Sequence, residues 1–580
     1  MYLRNYIALF LLLFASVVAA SAQDPTPTPV DDKQNVDPDK LKGVPPIAPN
    51  YRSDDRNLPD LGRVGVDMMD QRSLTLSDAI AMALENNNDI EVTRKNVKIA
   101  EFDLRAARGF YQPRLTGQTY YDRATTPNVS IFSTNQKTTV GSVVGNLGVT
   151  GYIPNFGTVL RADVNNQRQT TNNPISILSP QNNASIGFSL TQPLFKGRGF
   201  DQNRRTIEIA KRNLSLTDAQ FRQRTIETIA NVQRAYWDLA FALRNLQVQR
   251  DGVKDAKDQQ EHNKRLVTEG QLAPIDIVAA ETQVANFEQA VYEALNTVNQ
   301  AENTLKNLIA PNKTAKLWSE SVTPTDPVDL TPPATTLTEA LYAALANRPE
   351  LELNQVQKDI NAIDRKFYAS QKQPQIDLTA SYNSAGVGGS RNPNFSSPFG
   401  TTCNPEDPTY QACLARLAQQ QANLELLTGN AYSGVFANRY PTYRVGLTVN
   451  LPLFGDKTAG ANYGKALVEG EKIETQRAQL EQNIQVDVRN ALQSVRTAEA
   501  RLRSAAIARE NSVKQYESEQ RKLDAGQSDI YKVLERQTAL TSARSSELRA
   551  QTELNKSIAD LQRATGNSLK ANNIEARLRK

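Results

Sequence analysis

The chain repeats itself, and the repeat limits its possible folds more than any other feature. Leu74-Thr-Leu-Ser-Asp-Ala-Ile-Ala-Met-Ala-Leu84 returns as Leu337-Thr-Glu-Ala-Leu-Tyr-Ala-Ala-Leu345, and each copy is followed by asparagine and an acidic residue. Gln112-Pro113-Arg114-Leu115 returns as Gln373-Pro374-Gln375-Ile376, with the prolines 261 positions apart. Gln192-Pro193-Leu194-Phe195 pairs with Leu451-Pro452-Leu453-Phe454 at a separation of 259, and Glu269-Gly270-Gln271 with Ala525-Gly526-Gln527 at 256. Landmarks in one order at nearly one spacing mark a tandem duplication. The first structural repeat is read as residues 73–330 and the second as 331–566, with 567–580 as a C-terminal tail.

Within each copy the hydrophobic period switches from helix to strand and back. Apolar residues occupy the odd positions of Tyr443-Arg-Val-Gly-Leu-Thr-Val-Asn-Leu451, and polar or small ones the even positions. Ile186, Phe188 and Leu190 alternate likewise with Gly187, Ser189 and Thr191, as do Ile376, Leu378, Ala380 and Tyr382 with their neighbours. Each copy therefore carries two main strands, within about 114–195 and 375–454, or about four per chain. Such strands fit an antiparallel sheet over a soluble core and equally a transmembrane barrel.

Two stretches, about Asp201–Thr268 and Thr458–Asp524, contain no proline and are rich in Ala, Gln, Glu, Arg and Leu. Each predicts a very long helix, of the order of 100 Å at 1.5 Å per residue. After each Gly-Gln turn a second helix returns, so that 201–310 and 458–564 form antiparallel hairpins. The apolar stripe Ile473, Leu480, Ile484, Val488, Leu492 is narrow and suits a coiled-coil seam. Helices this polar need water on both sides, as the wall of a tube would have. The expected class is mixed α and β: long helical hairpins joined to a few antiparallel strands.

The ends of the chain carry their own signals. Arg4 precedes an apolar run from Ile7 to Ala20 closed by Ala20-Ser21-Ala22, a signal peptide over 1–22 with the mature chain starting near Gln23. No cysteine near the cleavage site would take a lipid anchor. Residues 23–72 hold eight prolines among Asp, Thr and Lys and read as a disordered linker.

Composition excludes much chemistry. One histidine, His262, and two cysteines leave no material for a metal cluster or a Ser-His-Asp triad, so no catalytic residue, metal or cofactor is expected. There is no Walker loop, and Gly197-Arg-Gly199 lacks the third glycine of a dinucleotide loop. Charge is evenly mixed, 67 Lys+Arg against 62 Asp+Glu, which gives no basic stripe for nucleic acid. Cys403 and Cys413 lie in an insertion, 384–438, rich in Gly, Asn, Pro and Ser; export to an oxidising compartment makes a disulfide staple the expectation. A further insertion over 125–183 alternates weakly from Gly141 to Arg161, consistent with an additional hairpin.

The duplicated Leu-Thr openings, the Asn347-Arg348-Pro349-Glu350-Leu351 box, the Gln192-Pro193-Leu194-Phe195 strand end and the paired glycine turns resemble the TolC family of bacterial outer-membrane efflux channels, over Leu74 to Gly566. The resemblance implies a homotrimer whose twelve strands form one barrel in the outer-membrane lipid and whose helices form a periplasmic tunnel. It implies the exit duct of a tripartite efflux or type I secretion system, with a periplasmic adaptor and an inner-membrane pump as partners. Gly270, Gln271, Gly526 and Gln527 would lie at the periplasmic tips where the adaptor docks. The family places gate acids six and nine residues after the second glycine, which here are Lys532 and Glu535, so that Lys532 departs from the pattern and is free to pair with Glu535 one turn away. Asp276, six residues after Gly270, falls where the family ties closed tips together, or is simply a first-turn acid favoured by the helix dipole. A secreted coiled-coil scaffold or adhesin would account for the helices but not for two-faced strands ending at matched Pro-Leu-Phe corners.

Overall fold

Alternation in period is what the architecture follows. The computed structural model describes residues 62–128, 136–396, 403–452 and 456–575; the expected signal peptide and nearly all of the proline-rich segment lie outside these. In chain order the elements are β1 (Asp67–Leu74), α1 (Leu76–Asn86), α2 (Asn88–Arg108), β2 (Arg114–Pro127), β3 (Lys137–Ile153), β4 (Thr158–Thr171), β5 (Leu178–Pro193), α3 (Gln202–Thr268) and α4 (Ile275–Ile309). The second half runs β6 (Glu320–Pro324), α5 (Leu337–Asn347), α6 (Pro349–Gln371), β7 (Gln375–Arg391), α7 (Tyr410–Leu427), α8 (Ala431–Phe436), β8 (Tyr440–Asn450), α9 (Lys457–Asp524), α10 (Ile530–Ala564) and α11 (Ser568–Ala571).

The sheet corrects the expected strand number. It has six strands in the order β2-β3-β4-β5-β7-β8, every neighbour antiparallel. The two beyond the expected four are β3 and β4, the hairpin over 125–183 that the weak alternation hinted at. They were faint in the sequence because Gly141, Gly145 and Gly151 interrupt Val143, Leu147 and Val149 on the apolar face of β3, while Asn166, Arg168 and Thr170 occupy the same face of β4, and the period has little amplitude. The loop expected over 384–438 is also partly ordered, since β7 runs on to Arg391 and α7 and α8 follow. Cys403 and Cys413 are disulfide-bonded just before and within the first turn of α7.

The long helices span 67 and 68 residues. α3 runs beside α4 over its second half, and around Phe221 it meets Ile90 and Val97 of α2. α9 repeats the plan: Ile484, Val488 and Leu492 meet Ala340 and Ala344 of α5 and Leu554 and Leu561 of α10. Thr75 and Thr336 cap the two equivalent short helices, the latter in a capping box with Glu339. The hairpins are stitched together where α3 meets α10, through Lys556–Asp238 at 2.8 Å, Arg544–Asp255 at 3.6 Å and the pair Arg234–Asp560.

Two expectations at the ends need correction. The composition of residues 23–72 predicts a linker up to Arg72, yet β1 starts at Asp67 and pairs in parallel with β6. A buried charge cluster fixes it: Glu302 takes Arg63 at 2.7 Å and Lys306 at 3.4 Å and accepts the Val322 N–H at 2.8 Å. Beside it Tyr236, fully buried, donates to Asp326 and accepts the Thr325 and Asp326 N–H groups, so its role is to hold this small sheet rather than only to pack helix on helix. At the other end, the expected tail contains α11, and Leu569 and Ile574 pack on the main core.

Candidate functional site

Both hairpins end in the same backbone device. Gly270 and Gly526 sit at φ +74° and +72°, in the left-handed region that glycine enters without penalty. Each closes a Schellman-type turn: Gln271 N–H donates to Leu266 and Gly270 N–H to Val267, as Gln527 does to Lys522 and Gly526 to Leu523. The tips meet through a small apolar cluster, in which Leu272 of the first packs against Leu523, Ile530, Val533 and Leu534 of the second. His262 Nε2 lies 3.0 Å from Asp524 Oδ1, bridging the end of α3 to the end of α9. No signal in the sequence pairs these two residues, which lie 262 positions apart.

The anticipated gate residues are placed as follows. Lys532 does not meet Glu535: its ammonium lies 3.2 Å from Asp529, which also caps α10 by accepting the Lys532 N–H at 3.0 Å. An i−3 carboxylate already serving as N-cap is simply nearer than Glu535 on the same helix. The Lys532 N–H bond holds the Asp529 carboxyl below the ordinary range, and the Ser528 hydroxyl does the same for Glu519. Glu535 stands on the next turn beside a cleft of about 430 Å³, shared with Ile275, Val278, Tyr531 and Thr538. Ile275, Val278 and Tyr531 are exposed apolar side chains at this end of the molecule. Asp276 accepts the Ala273 N–H at 3.0 Å, a bond within the first turn of its own hairpin, and forms no ion pair with the other hairpin among the described residues.

Above the tips the contact between the hairpins turns polar. Gln259 and Asn263 on α3 and Gln537 on α10 are buried amides, and Gln283 of α4 donates to Thr538 of α10 at 2.7 Å. Burial raises the pKa values of Asp255 and Tyr516 here. An interface of amides and ion pairs binds less firmly than apolar packing, because water offers the same groups equivalent partners once they part.

At the opposite end the sheet has two distinct faces. The registers run without interruption across the central rows, so facing residues can be followed from strand to strand. One face carries Leu115, Val149, Ala162, Phe188, Tyr382 and Tyr443 in a single row, and Leu160, Leu190, Ala380 and Val445 in the next. The other carries Gln118, Asn146, Asp163, Asn383 and Arg444 among serines and threonines. The apolar side chains are exposed: Leu115 67%, Val445 76%, Leu447 62%. The outer edges of β2 and β8 pair with nothing among the described residues. Among the described residues no helix is long and apolar enough to cross a membrane.

A sheet with one apolar and one wet face, carried on helices about 100 Å long, defines an outer-membrane channel of the kind whose barrel continues into a helical tunnel. Known proteins agree. The profile described as outer membrane efflux protein matches residues 159–310 and 340–567, and the chain belongs to that family. Among solved structures it resembles CusC at 14% identity, covering 85% of this chain and 92% of that one with a TM-score of 0.59. It likewise resembles the Campylobacter jejuni CmeC outer membrane channel at 15% identity, 90% and 94% coverage and 0.58. The open state of the Neisseria gonorrhoeae MtrE outer membrane channel follows at 17%, 89% and 95%, and 0.56. No curated protein sequence matches. The chain is an outer-membrane efflux channel protein, and its family and structural neighbours are channels rather than enzymes.

Proposed function

We propose that the protein is the exit duct of a tripartite efflux or type I secretion system, working as a homotrimer with a periplasmic adaptor and an inner-membrane pump. The observation that supports this best is the open sheet. Its edge strands β2 and β8 present unpaired backbone groups beside an apolar face, and a lipid-embedded sheet must close. Other copies of the chain, β8 of one against β2 of the next, would close it. Three copies would supply eighteen strands rather than the twelve expected from the resemblance. At about 4.8 Å between strands and about 40° of tilt, that widens the backbone ring from about 24 Å to about 36 Å, enough for an aqueous lumen.

In this reading the tips are the periplasmic mouth, with Gly270, Gln271, Gly526 and Gln527 exposed for docking. Glu535 lines the constriction, and the Asp529 partner tempers the Lys532 charge. Parting the His262–Asp524 bridge and the polar α3–α10 seam would open the duct at modest cost. The test is the mass of the purified protein in detergent together with conductance in a planar bilayer. A trimer with discrete steps, whose conductance or divalent-cation block changes in Glu535→Ala, is the expected result. A monomer that leaves bilayers silent refutes the duct, and a conducting trimer indifferent to Glu535→Ala removes that residue from the gate.

A further inference from the structure

The apolar face of the sheet carries charge at one end only. Following the registers, its residues include no Asp or Glu, and its cations are Arg123 on β2, Lys137 on β3 and Arg168 on β4. All three lie toward the strand ends away from the helices, past the rows of Leu160 and Phe188. Arg168 shares a row with Val143 and Tyr121, and Arg123 faces Gly141 one position further on. Arg123 and Arg168 are exposed and form no ion pair among the described residues. Thr125 and Thr139, on the same face, are hydrogen-bonded to each other at 3.1 Å.

Helix α8 lies on this face as well. Gly386 and Gly388 of β7 share the side of Ala380 and Tyr382, and an added Cβ on Gly386 would collide with the Ala431 carbonyl oxygen, so only glycine lets the helix seat there. Ala431 and Val435 bury against Ala184 of β5, and Tyr382 donates to Asn438 just past the helix at 2.7 Å. Arg439 follows, exposed, with one guanidinium nitrogen on the Leu426 carbonyl at 3.3 Å. Phe436, the last residue of the helix, is exposed, and the Tyr382 and Tyr443 rings pack against each other on the same face.

We propose that Arg123, Lys137, Arg168 and Arg439 form a cationic collar that binds the phosphate groups of outer-leaflet glycolipid headgroups. The collar is continuous with the lipid-facing band and lies on its far side from the helices, with Arg168 three rows and Arg123 four rows beyond the row of Phe188, Tyr382 and Tyr443, on the headgroup side of the band. Arginine forks match phosphate oxygens in pairs, and the missing carboxylates leave them uncompensated until such a partner arrives. Which end faces outward rests on the duct reading above, since the helices mark the periplasmic end.

The test uses the full-length protein in detergent, titrated with bisphosphorylated lipid A and, separately, with its dephosphorylated form, with bound lipid read by native mass spectrometry. The wild type is expected to prefer the phosphorylated lipid, less so as salt rises. Arg123→Gln, Arg168→Gln and Arg439→Gln combined should lose about a hundredfold in that affinity, at about fivefold per arginine, with conductance unchanged. Equal binding of both lipids by a wild type that conducts normally overturns the collar and leaves the duct standing, as does undiminished binding by the triple variant. A wild type that neither inserts nor conducts overturns the duct and the collar with it.

Discussion

Replacing Val445 with arginine should unfold the membrane part of this protein more than any other single exposed change on β8. The strand has 11 residues, Tyr440–Asn450, with Val445 five from either end. At about 3.4 Å per residue and about 45° of tilt it rises about 26 Å, close to the height of a barrel's apolar band, so Val445 stands at the bilayer midplane. It faces outward between Tyr443 and Leu447 and is 76% exposed in the chain. A guanidinium at that depth costs about 2–4 kcal/mol, or a factor of about 30 to 900 in the folding equilibrium. The internal control is Thr448→Arg, on the polar face opposite Asp377, which gives the new cation a partner; its cost should stay within about 0.5 kcal/mol. Urea titration of vesicle-reconstituted protein, read by circular dichroism, measures both. Equal damage from the two, or greater damage from Thr448→Arg, would refute the assignment of faces and with it the barrel.

Other expectations concern the helical half. Gly526→Ala places a Cβ at φ +72°; it should cost about 1–2 kcal/mol and raise amide exchange at the second tip while leaving the sheet unaltered. Glu302→Gln leaves Arg63 and Lys306 buried without their carboxylate, which should destabilise by about 3–5 kcal/mol and release β1 first, visible as new proteolysis near Asp67. Glu519 and Asp529 are held below the ordinary carboxylate range, so their contribution to the second tip is complete at neutral pH and fades as pH falls below about 4. Exchange of residues 519–532, corrected for intrinsic rate, should rise over that window and not between pH 7 and 5.

Much of this could be read from residues in order. The duplication, the two long hairpins, the glycine tips and the alternating strands each depend on spacing within one segment, and the chain prints spacing directly. Val445, Leu447 and Val449 announce a two-faced strand because every second side chain must share one environment. Proline-free runs such as Asp201–Thr268 announce helices because nothing in them interrupts the backbone ladder. The disulfide needed only two cysteines and an exported chain.

Other features had to wait for distant segments to meet. Strands β3 and β4 are faint because glycines in the first and polar residues such as Asn166 and Arg168 in the second break the apolar alternation, and what makes them strands is the ladder they complete between β2 and β5. β1 looked like linker because its apolar content is low; its order comes from pairing with β6 and from Arg63 reaching Glu302, 239 residues away. Lys532 took Asp529 rather than Glu535 because the cap geometry of α10 put that carboxylate within reach first. The His262–Asp524 bridge and the seating of α8 on Ala184 of β5 and Gly386 of β7 both exist only through packing. Local periodicity marks the long helices, the four main strands and the apolar face of each, because each is set by spacing within one segment. Only the tertiary structure decided which segments are neighbours, because a contact between residues hundreds of positions apart costs chain entropy that only the assembled whole repays.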